Sequence, residues 1–204
     1  MKLKIKDVER AFGIEIRRNT VSLGLDTATK TGYCIATTNK KTIDLSVGFI
    51  NVDVKEIKDK DLRNELRYEE IYRKFKSLIQ PKYIVVIENV YHSFNAQTTI
   101  LLSRIGAIAW TLARTVKAKT IWKTASQARK ALGINQKCPR GKSKEVITDR
   151  VNTLLNISIT NNDEIDAIVL AITGLIKMED NDVSYRKTKM RPHRRNNKTK
   201  KRRR

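Results

Sequence analysis

Residues 21–52 read VSLGLDTATKTGYCIATTNKKTIDLSVGFINV, and this stretch decides the fold. It contains three short apolar runs of the kind that form strands, at residues 21–26, 32–38 and 42–52. A polar NKK turn at residues 39–41 joins the last two runs, which is typical of a hairpin. The stretch therefore predicts three antiparallel strands in a meander, the first of them ending in a carboxylate.

The sequence after the meander alternates between helical and strand-forming patterns. Apolar residues recur at helical spacing from Tyr68 to Ile79, and Pro81 ends that helix. The run YIVVIE, residues 83–88, is apolar up to its last residue, as in a central strand buried on both faces. The remaining predicted elements are helices at about 96–116, 126–132, 143–156 and 163–178 and a strand at 118–122. Together they predict an α/β domain with a mixed sheet flanked by helices.

The composition points to a polyanionic partner. The chain has 204 residues with Lys+Arg 43 and Asp+Glu 21, a formal net charge of +22. Nucleic acid is favoured over a membrane, because no basic amphipathic helix with a bulky apolar face is present. No apolar run approaches the roughly 20 residues that cross a bilayer, and the N-terminus lacks the apolar core of a signal peptide. We therefore expect a soluble protein of the cytoplasm, associated with the nucleoid or, if viral, in the host cytoplasm.

The charge divides the chain into three predicted segments. Residues 1–20 form an N-terminal extension, residues 21–178 the domain, and residues 179–204 a basic C-terminal tail. Residues 186–204 contain 12 Lys or Arg and no acid, so we expect the tail to stay disordered until it meets phosphate. We expect four of its cations to contact DNA: Arg194, Arg195, Lys200 and Lys201. A role in solubility or localisation is the alternative.

Four carboxylates are candidates for a site, and two of them stand where apolar patterns normally exclude a charge. Asp26 closes the first predicted strand and Glu88 closes the fourth, and strand ends of this kind are the usual place for a site in an open sheet. Asp163 and Asp166 are spaced i, i+3, which puts both on one face at the start of the last helix. Each has a structural alternative, since a strand-terminal Asp often caps a turn and Asp163 could cap its helix.

Four acids gathered at one place would repel each other unless a cation lay among them. Carboxylate oxygens suit Mg²⁺, with Mn²⁺ as a possible substitute. Two such ions per site can activate a water and stabilise the departing 3′ oxygen of a phosphodiester. A basic chain that concentrates acids in one pocket therefore predicts a metal-dependent nuclease.

Three segments resemble the RuvC-type Holliday junction resolvases of the RNase H-like superfamily. They are LGLDTATKTGYCI from residue 23, IENVYHSFNAQTTILLSRIGAIAW from residue 87 and NDEIDAIVLAITGL from residue 162, and the resemblance spans about residues 21–177. It implies an RNase H-like five-stranded sheet and a homodimer that cuts four-way DNA junctions by paired nicks, leaving 5′ phosphates and 3′ hydroxyls. The long helix carries an apolar stripe within residues 101–112, part of which we expect to face the sheet as core, and the family pairs its subunits near this helix.

The resemblance also assigns roles to single residues. The catalytic metal ligands fall on Asp26, Glu88, Asp163 and Asp166. Lys144 falls on a catalytic cation near the scissile phosphate, and Tyr91 on an aromatic that stacks near the crossover. A second basic position matches Arg129 or Lys130, and Lys142 starts a helix whose N-terminal dipole favours phosphate.

The match has departures and leaves two alternatives. The family's Asp-Pro-Gly is Asp26-Thr27-Ala28 here, and the loop to Thr31 is one residue shorter, as in divergent or phage members. The alternatives are an RNase H-like nuclease for other branched DNA or RNA, and a nonenzymatic basic binding protein. An actin-like ATPase is disfavoured, because a chain with only 8 glycines shows no pair of Gly-rich phosphate loops. No small-molecule cofactor is expected, and Cys34 and Cys138 read as ordinary thiols.

Overall fold

The computed structural model describes residues 1–28, 30–89, 95–134 and 142–177. In these residues the strands are β1 (Lys2–Lys4), β2 (Val21–Asp26), β3 (Lys30–Thr38), β4 (Thr42–Asn51), β5 (Ile84–Glu88) and β6 (Lys119–Lys123). The helices are α1 (Ile5–Phe12), α2 (Lys60–Leu78), α3 (Ala96–Thr115), α4 (Ala125–Ala131), α5 (Ser143–Leu155) and α6 (Asn162–Leu175). Within the described ranges, no helix is both long and apolar enough to cross a membrane. The basic tail lies outside them.

The strands form one mixed sheet in the order β1-β4-β3-β2-β5-β6. β2, β3 and β4 pair antiparallel, which confirms the predicted meander, and β5 and β6 continue the sheet parallel to β2. The Asn39 side chain fixes the hairpin turn by accepting the backbone N–H of Lys41 at 2.7 Å and of Thr42 at 2.8 Å. The α/β class is confirmed, and the order β4-β3-β2-β5-β6 contains the predicted five-stranded mixed sheet.

The sheet has one strand more than the five predicted. β1 pairs antiparallel with β4, so the N-terminal extension supplies an edge strand. Its three residues, KLK, are too few to show a period of two, and lysines are common on edge strands. The strand exists because β4 offers it a partner, which no local pattern reveals.

Helices cover both faces of the sheet and define two cores. One core lies between the sheet and α6, with α1, α4 and α5 around it, and the other lies under α2 and α3. α6 packs unusually close to β2, because a Cβ added at Gly24 would lie 2.3 Å from the carbonyl oxygen of Ala167. A glycine is therefore required there, and this close packing determines where the N-terminus of α6 meets the sheet.

Candidate active site

The sheet places two carboxylates side by side. β2 and β5 are parallel with Leu25 opposite Ile87, so the next residues, Asp26 and Glu88, end neighbouring strands at the same edge. Side chains alternate along a strand, so Asp26 shares the α6 face with Gly24. Asp26 is 6% exposed. The strand-end geometry expected from the sequence is thus present.

The start of α6 supplies the other two acids. Asn161 is the N-cap residue and its side chain accepts the N–H of Asp163 at 3.0 Å, so Asp163 does not cap its own helix. Gly32, the strand partner of Asp26, lets the helix approach, since a Cβ there would lie 2.1 Å from the Asp163 carbonyl oxygen. The N-terminal end of α6, with Asp163 and Asp166, therefore lies over the end of β2.

The other three acids all affect the pKa of Asp26. Burial raises the pKa of Asp26 to about 10, with further contributions from a side-chain hydrogen bond to Glu88 and from the charges of Glu88, Asp166 and Asp163. The charged form of Asp26 is therefore disfavoured at this position. The sheet edge holds more negative charge than it can carry without a neutralising partner.

Two cations neutralise the acids of α6. Arg129 on α4 donates from Nη2 to both carboxylate oxygens of Asp166, at 2.7 and 3.1 Å, and both side chains are largely buried. Lys144 on α5 places its Nζ 3.9 Å from Asp163 Oδ1 and is mostly exposed. α4 is fixed at its start by a capping box between Thr124 and Gln127. Both ion pairs put positive charge beside the carboxylates of α6.

The donor chemistry fits a divalent metal, although the side chains are not arranged around one. Within the described ranges, no three His, Cys, Asp or Glu side chains are spaced to hold one ion. Carboxylates influence each other's pKa when they lie within about 4 to 6 Å, whereas Mg²⁺ needs its oxygens at about 2.1 Å. The acids can therefore raise the pKa of Asp26 without being spaced to hold one ion. The carboxylate of Asp166 is already paired with Arg129, and the carboxyl groups of Asp26 and Glu88 interact with each other through a hydrogen bond. Ligation requires these side chains to exchange partners.

The other residues that were predicted to contact DNA are exposed or lie outside the described residues. Lys130 and Lys142 are exposed, and Lys142 is the N-cap residue of α5 without a side-chain capping bond. Of the two candidates for the second basic position, Arg129 is the one that reaches the acids. Tyr91 and the four tail cations lie outside the described residues.

Two neighbours of the acids were missed by sequence reasoning. The Thr27 hydroxyl donates to the Glu88 carbonyl oxygen at 3.2 Å and ties the ends of β2 and β5 together. Thr27 is buried, and the signal that the sequence offered for it was its position directly after Asp26. Lys123 is the register partner of Glu88 on β6. No local pattern distinguishes it from any other strand lysine.

Comparisons with known proteins identify a family and a fold. The model of the family described as crossover junction endodeoxyribonuclease RuvC matches residues 22–174. A Thermus thermophilus RuvC structure aligns with a TM-score of 0.59 at 14% identity, covering 78% of this chain and 99% of that one. The structure of T. thermophilus RuvC in complex with a Holliday junction substrate aligns with a TM-score of 0.59 at 13% identity, covering 76% and 92%. At these identities the likeness to the solved structures establishes the fold. A comparison with curated protein sequences finds no significant match.

Proposed function

This chain belongs to the crossover junction endodeoxyribonuclease RuvC family, and from that premise we propose that it resolves four-way DNA junctions by paired, metal-dependent nicks. Membership confirms the resemblance drawn from its motifs. The observation that carries the proposal is the convergence of Asp26, Glu88, Asp163 and Asp166 at one edge of the sheet. Nucleases of this family depend on a divalent metal, and the carboxylate oxygens of these four acids suit one.

The four acids would hold Mg²⁺, or Mn²⁺ in its place, as two ions per site. Such ions supply an activated water and stabilise the departing 3′ oxygen. The chain's own residues then have separable tasks. Asp26 and Glu88 provide ligands from the rigid ends of β2 and β5, and Thr27 keeps those ends together. Arg129 and Lys144 lie where they can neutralise phosphate charge, and Arg129 would release Asp166 as it does so.

We further propose that the active form is a homodimer. A four-way junction has two-fold symmetry, so paired cuts need two equivalent sites related by a two-fold axis. The exposed apolar side chain of Trp110, in the C-terminal half of α3, supports a partner surface on this helix. Specificity would then lie mainly in the shape of the junction, while phosphate contacts supply affinity.

The test is cleavage of an end-labelled four-way junction beside a matched linear duplex, a flap and an RNA:DNA hybrid. Each substrate is incubated with Mg²⁺, Mn²⁺ or EDTA and with the wild type, Asp26→Asn or the control Asp44→Asn, an exposed acid on β4. We expect symmetric nicks in the junction that need metal. Asp26→Asn should abolish cutting while keeping binding, since it removes one ligand and one negative charge, and Asp44→Asn should cut normally.

Other outcomes separate the alternatives. Metal-dependent cutting of the flap or hybrid in preference to the junction would keep the site and change the substrate. Binding of DNA without cutting under any metal would favour the nonenzymatic protein. Cutting by Asp26→Asn at the wild-type rate would reject the role of Asp26.

A further inference from the structure

A basic surface that does not include the four acids lies at the N-terminal halves of α2 and α3. It consists of a cleft of about 490 Å³ and an adjoining one of about 280 Å³, which share Arg63 and Arg67. We call the two together the basic cleft. Its cations are Lys30, Lys55, Lys60, Arg63, Arg67 and Arg104, against the two acids Asp53 and Asp61.

The arginines of the basic cleft are held in place by neutral groups. Arg63 donates from Nε to the Ile57 carbonyl oxygen at 3.0 Å and from Nη2 to that of Lys58 at 3.3 Å. Arg67 donates to Asn64 Oδ1 at 3.4 Å. Arg104 lies over the Tyr68 ring, 6.0 Å from its centroid. These contacts orient the guanidinium groups without neutralising them.

Two other cations of α2 are neutralised by carboxylates, unlike those of the basic cleft. In its C-terminal half, Arg73 and Lys74 form ion pairs with Glu69 and Glu70. None of the six cleft cations has a carboxylate within ion-pair distance among the residues that the structure describes. The Lys60 ammonium, for example, donates to the amide oxygen of Gln97 at 2.9 Å. Oriented, unneutralised cations are suited to an anion that is absent from the chain itself.

The basic cleft lies at the same end of the sheet as the acids. Gly32 pairs with Asp26 in the antiparallel β2–β3 ladder, so Lys30, two residues earlier, lies just beyond the carboxylate. Lys30 pairs with Asn51 at the end of β4, and both residues line the cleft. Lys30 has the same strand alternation as Gly32 and therefore lies on the α6 face with the acids, whereas the arginines of the cleft are carried by α2 and α3 on the other face. A chain of phosphates leaving the acids can therefore pass Lys30 at this sheet end and continue into the cleft.

We propose that the basic cleft binds the phosphate backbone of a duplex arm of the same DNA whose scissile phosphate lies at the four acids. A row of cations across two adjoining clefts fits a repeating anion better than a single phosphate, because duplex DNA carries one charge per roughly 1.7 Å of its axis. The proposal rests on the proposed function for the identity of the DNA. The basic cleft then fixes the direction in which the arm leaves the site.

The test compares Arg67→Gln/Arg104→Gln with the control Lys76→Gln/Arg114→Gln. Both pairs remove two charges from α2 and α3, but Lys76 and Arg114 are exposed cations in the last turns, at the opposite end of these helices. Binding of the four-way junction is measured in EDTA over a range of salt concentrations. The slope of log K against log salt should become shallower by about 2 for the cleft variant, at roughly 0.9 per lost contact. It should not change for the control.

A series of junctions with progressively shorter arms locates the contact. Wild-type affinity should fall to that of the cleft variant once the arms no longer reach the cleft, and the cleft variant should be insensitive over the same range. An unchanged slope in the cleft variant, or an equal decrease in the control, would overturn the proposal. If the cleft variant does not fold, Lys55→Gln/Lys60→Gln removes two exposed cations of the same surface and is judged by the same criteria.

The two proposals fail in different ways. If the wild type cuts no junction in Mg²⁺ or Mn²⁺, the proposed function is wrong whatever the salt slopes are. If the wild type cuts junctions and the cleft variant keeps the full slope, only the cleft proposal is wrong.

Discussion

Asp26 shows at the scale of one residue how function opposes stability. Its carboxyl group is buried beside three other acids, and its pKa is raised because ionisation is disfavoured there. The folded protein therefore retains a proton that the unfolded chain releases at neutral pH. A raised pKa means that stability decreases as pH rises from about the ordinary value of 3.8 toward about 10. Retaining a carboxyl group here costs stability, which agrees with a ligand role.

Asp26→Asn should therefore stabilise the metal-free protein. Asn has the same shape, carries no charge and can donate a hydrogen bond to Glu88. We expect a gain of about 1 to 3 kcal/mol near pH 8, equivalent to roughly 2 to 4 °C in Tm for each kcal/mol in a chain of this size. The gain should be smaller at pH 5. Thermal unfolding in EDTA at both pH values measures it.

Asp44→Asn is the matched control, because Asp44 is exposed and should show little change at either pH. A lower Tm for Asp26→Asn at pH 8 would mean that the carboxyl group stabilises the fold and that its burial has a structural cause.

The acids could be predicted from sequence and several of their neighbours could not. Asp26 and Glu88 interrupt apolar runs, and this is visible without a structure. The choice between Arg129 and Lys130 is not, because adjacent helical residues point about 100° apart and only the packing of α4 on α6 selects Arg129. Lys123 and the basic cleft depend on strand register and on contacts between helices, which no local pattern encodes.

At the scale of elements, the N-terminal extension is part of the fold. Ile5, Val8 and Phe12 of α1 are buried in the α6 core. The following segment pairs with the end of α6 through a bridge between Ile16 and Ile176. The new findings are the strand β1 and the attachment of this segment to the helix that carries Asp163 and Asp166.

Glu9 holds this segment in place, so its charge should contribute to stability. Its carboxylate accepts the N–H of Ile16 at 3.0 Å and two hydrogen bonds from Arg18, and the hydrogen bond from Arg18 is the main reason that the pKa of Glu9 is lowered. A lowered pKa gives stability that is present above the ordinary value of 4.5 and is lost as pH falls through the folded-state pKa. Glu9→Gln should lower the free energy of unfolding by about 1 kcal/mol at pH 7 and by less at pH 3.

Urea unfolding at the two pH values measures this difference. Glu15→Gln is the control, since Glu15 pairs with Lys177 at 3.1 Å between two well-exposed side chains and such pairs contribute little. Equal losses for Glu9→Gln at pH 7 and pH 3 would show that the carboxylate charge is not responsible.

At the scale of the whole molecule, the charge is strongly segregated. Four acids meet at one sheet edge, the basic cleft lies across the same sheet end, and the last 19 residues carry 12 of the 43 Lys and Arg. Subtracting those 12 leaves 31 basic against 21 acidic residues, a net charge of +10 for the rest of the chain. Phosphate attraction is therefore available with or without the tail. The body and the tail should nevertheless contribute differently to specificity.

Deleting residues 186–204 should make the salt dependence of DNA binding shallower for every substrate. Each lost phosphate contact reduces the slope of log K against log salt by roughly 0.9, so several contacts are readily detected. A tail with almost no apolar side chains has little means of reading shape, so its contacts should be similar on linear duplex and on the junction. Truncation should therefore weaken both and raise the ratio of junction to duplex affinity, because the cleft and the acids remain.

A tail of the same composition in scrambled order is the control and should restore both slopes, since only its charge matters. An unchanged slope after truncation would remove the tail from the DNA contacts and favour a role in localisation or solubility. A fall in the junction-to-duplex ratio would mean that the tail itself recognises the branch. Shape recognition would then be shared between the tail and the folded body, and the arm-length dependence expected of the basic cleft should weaken in the truncated protein.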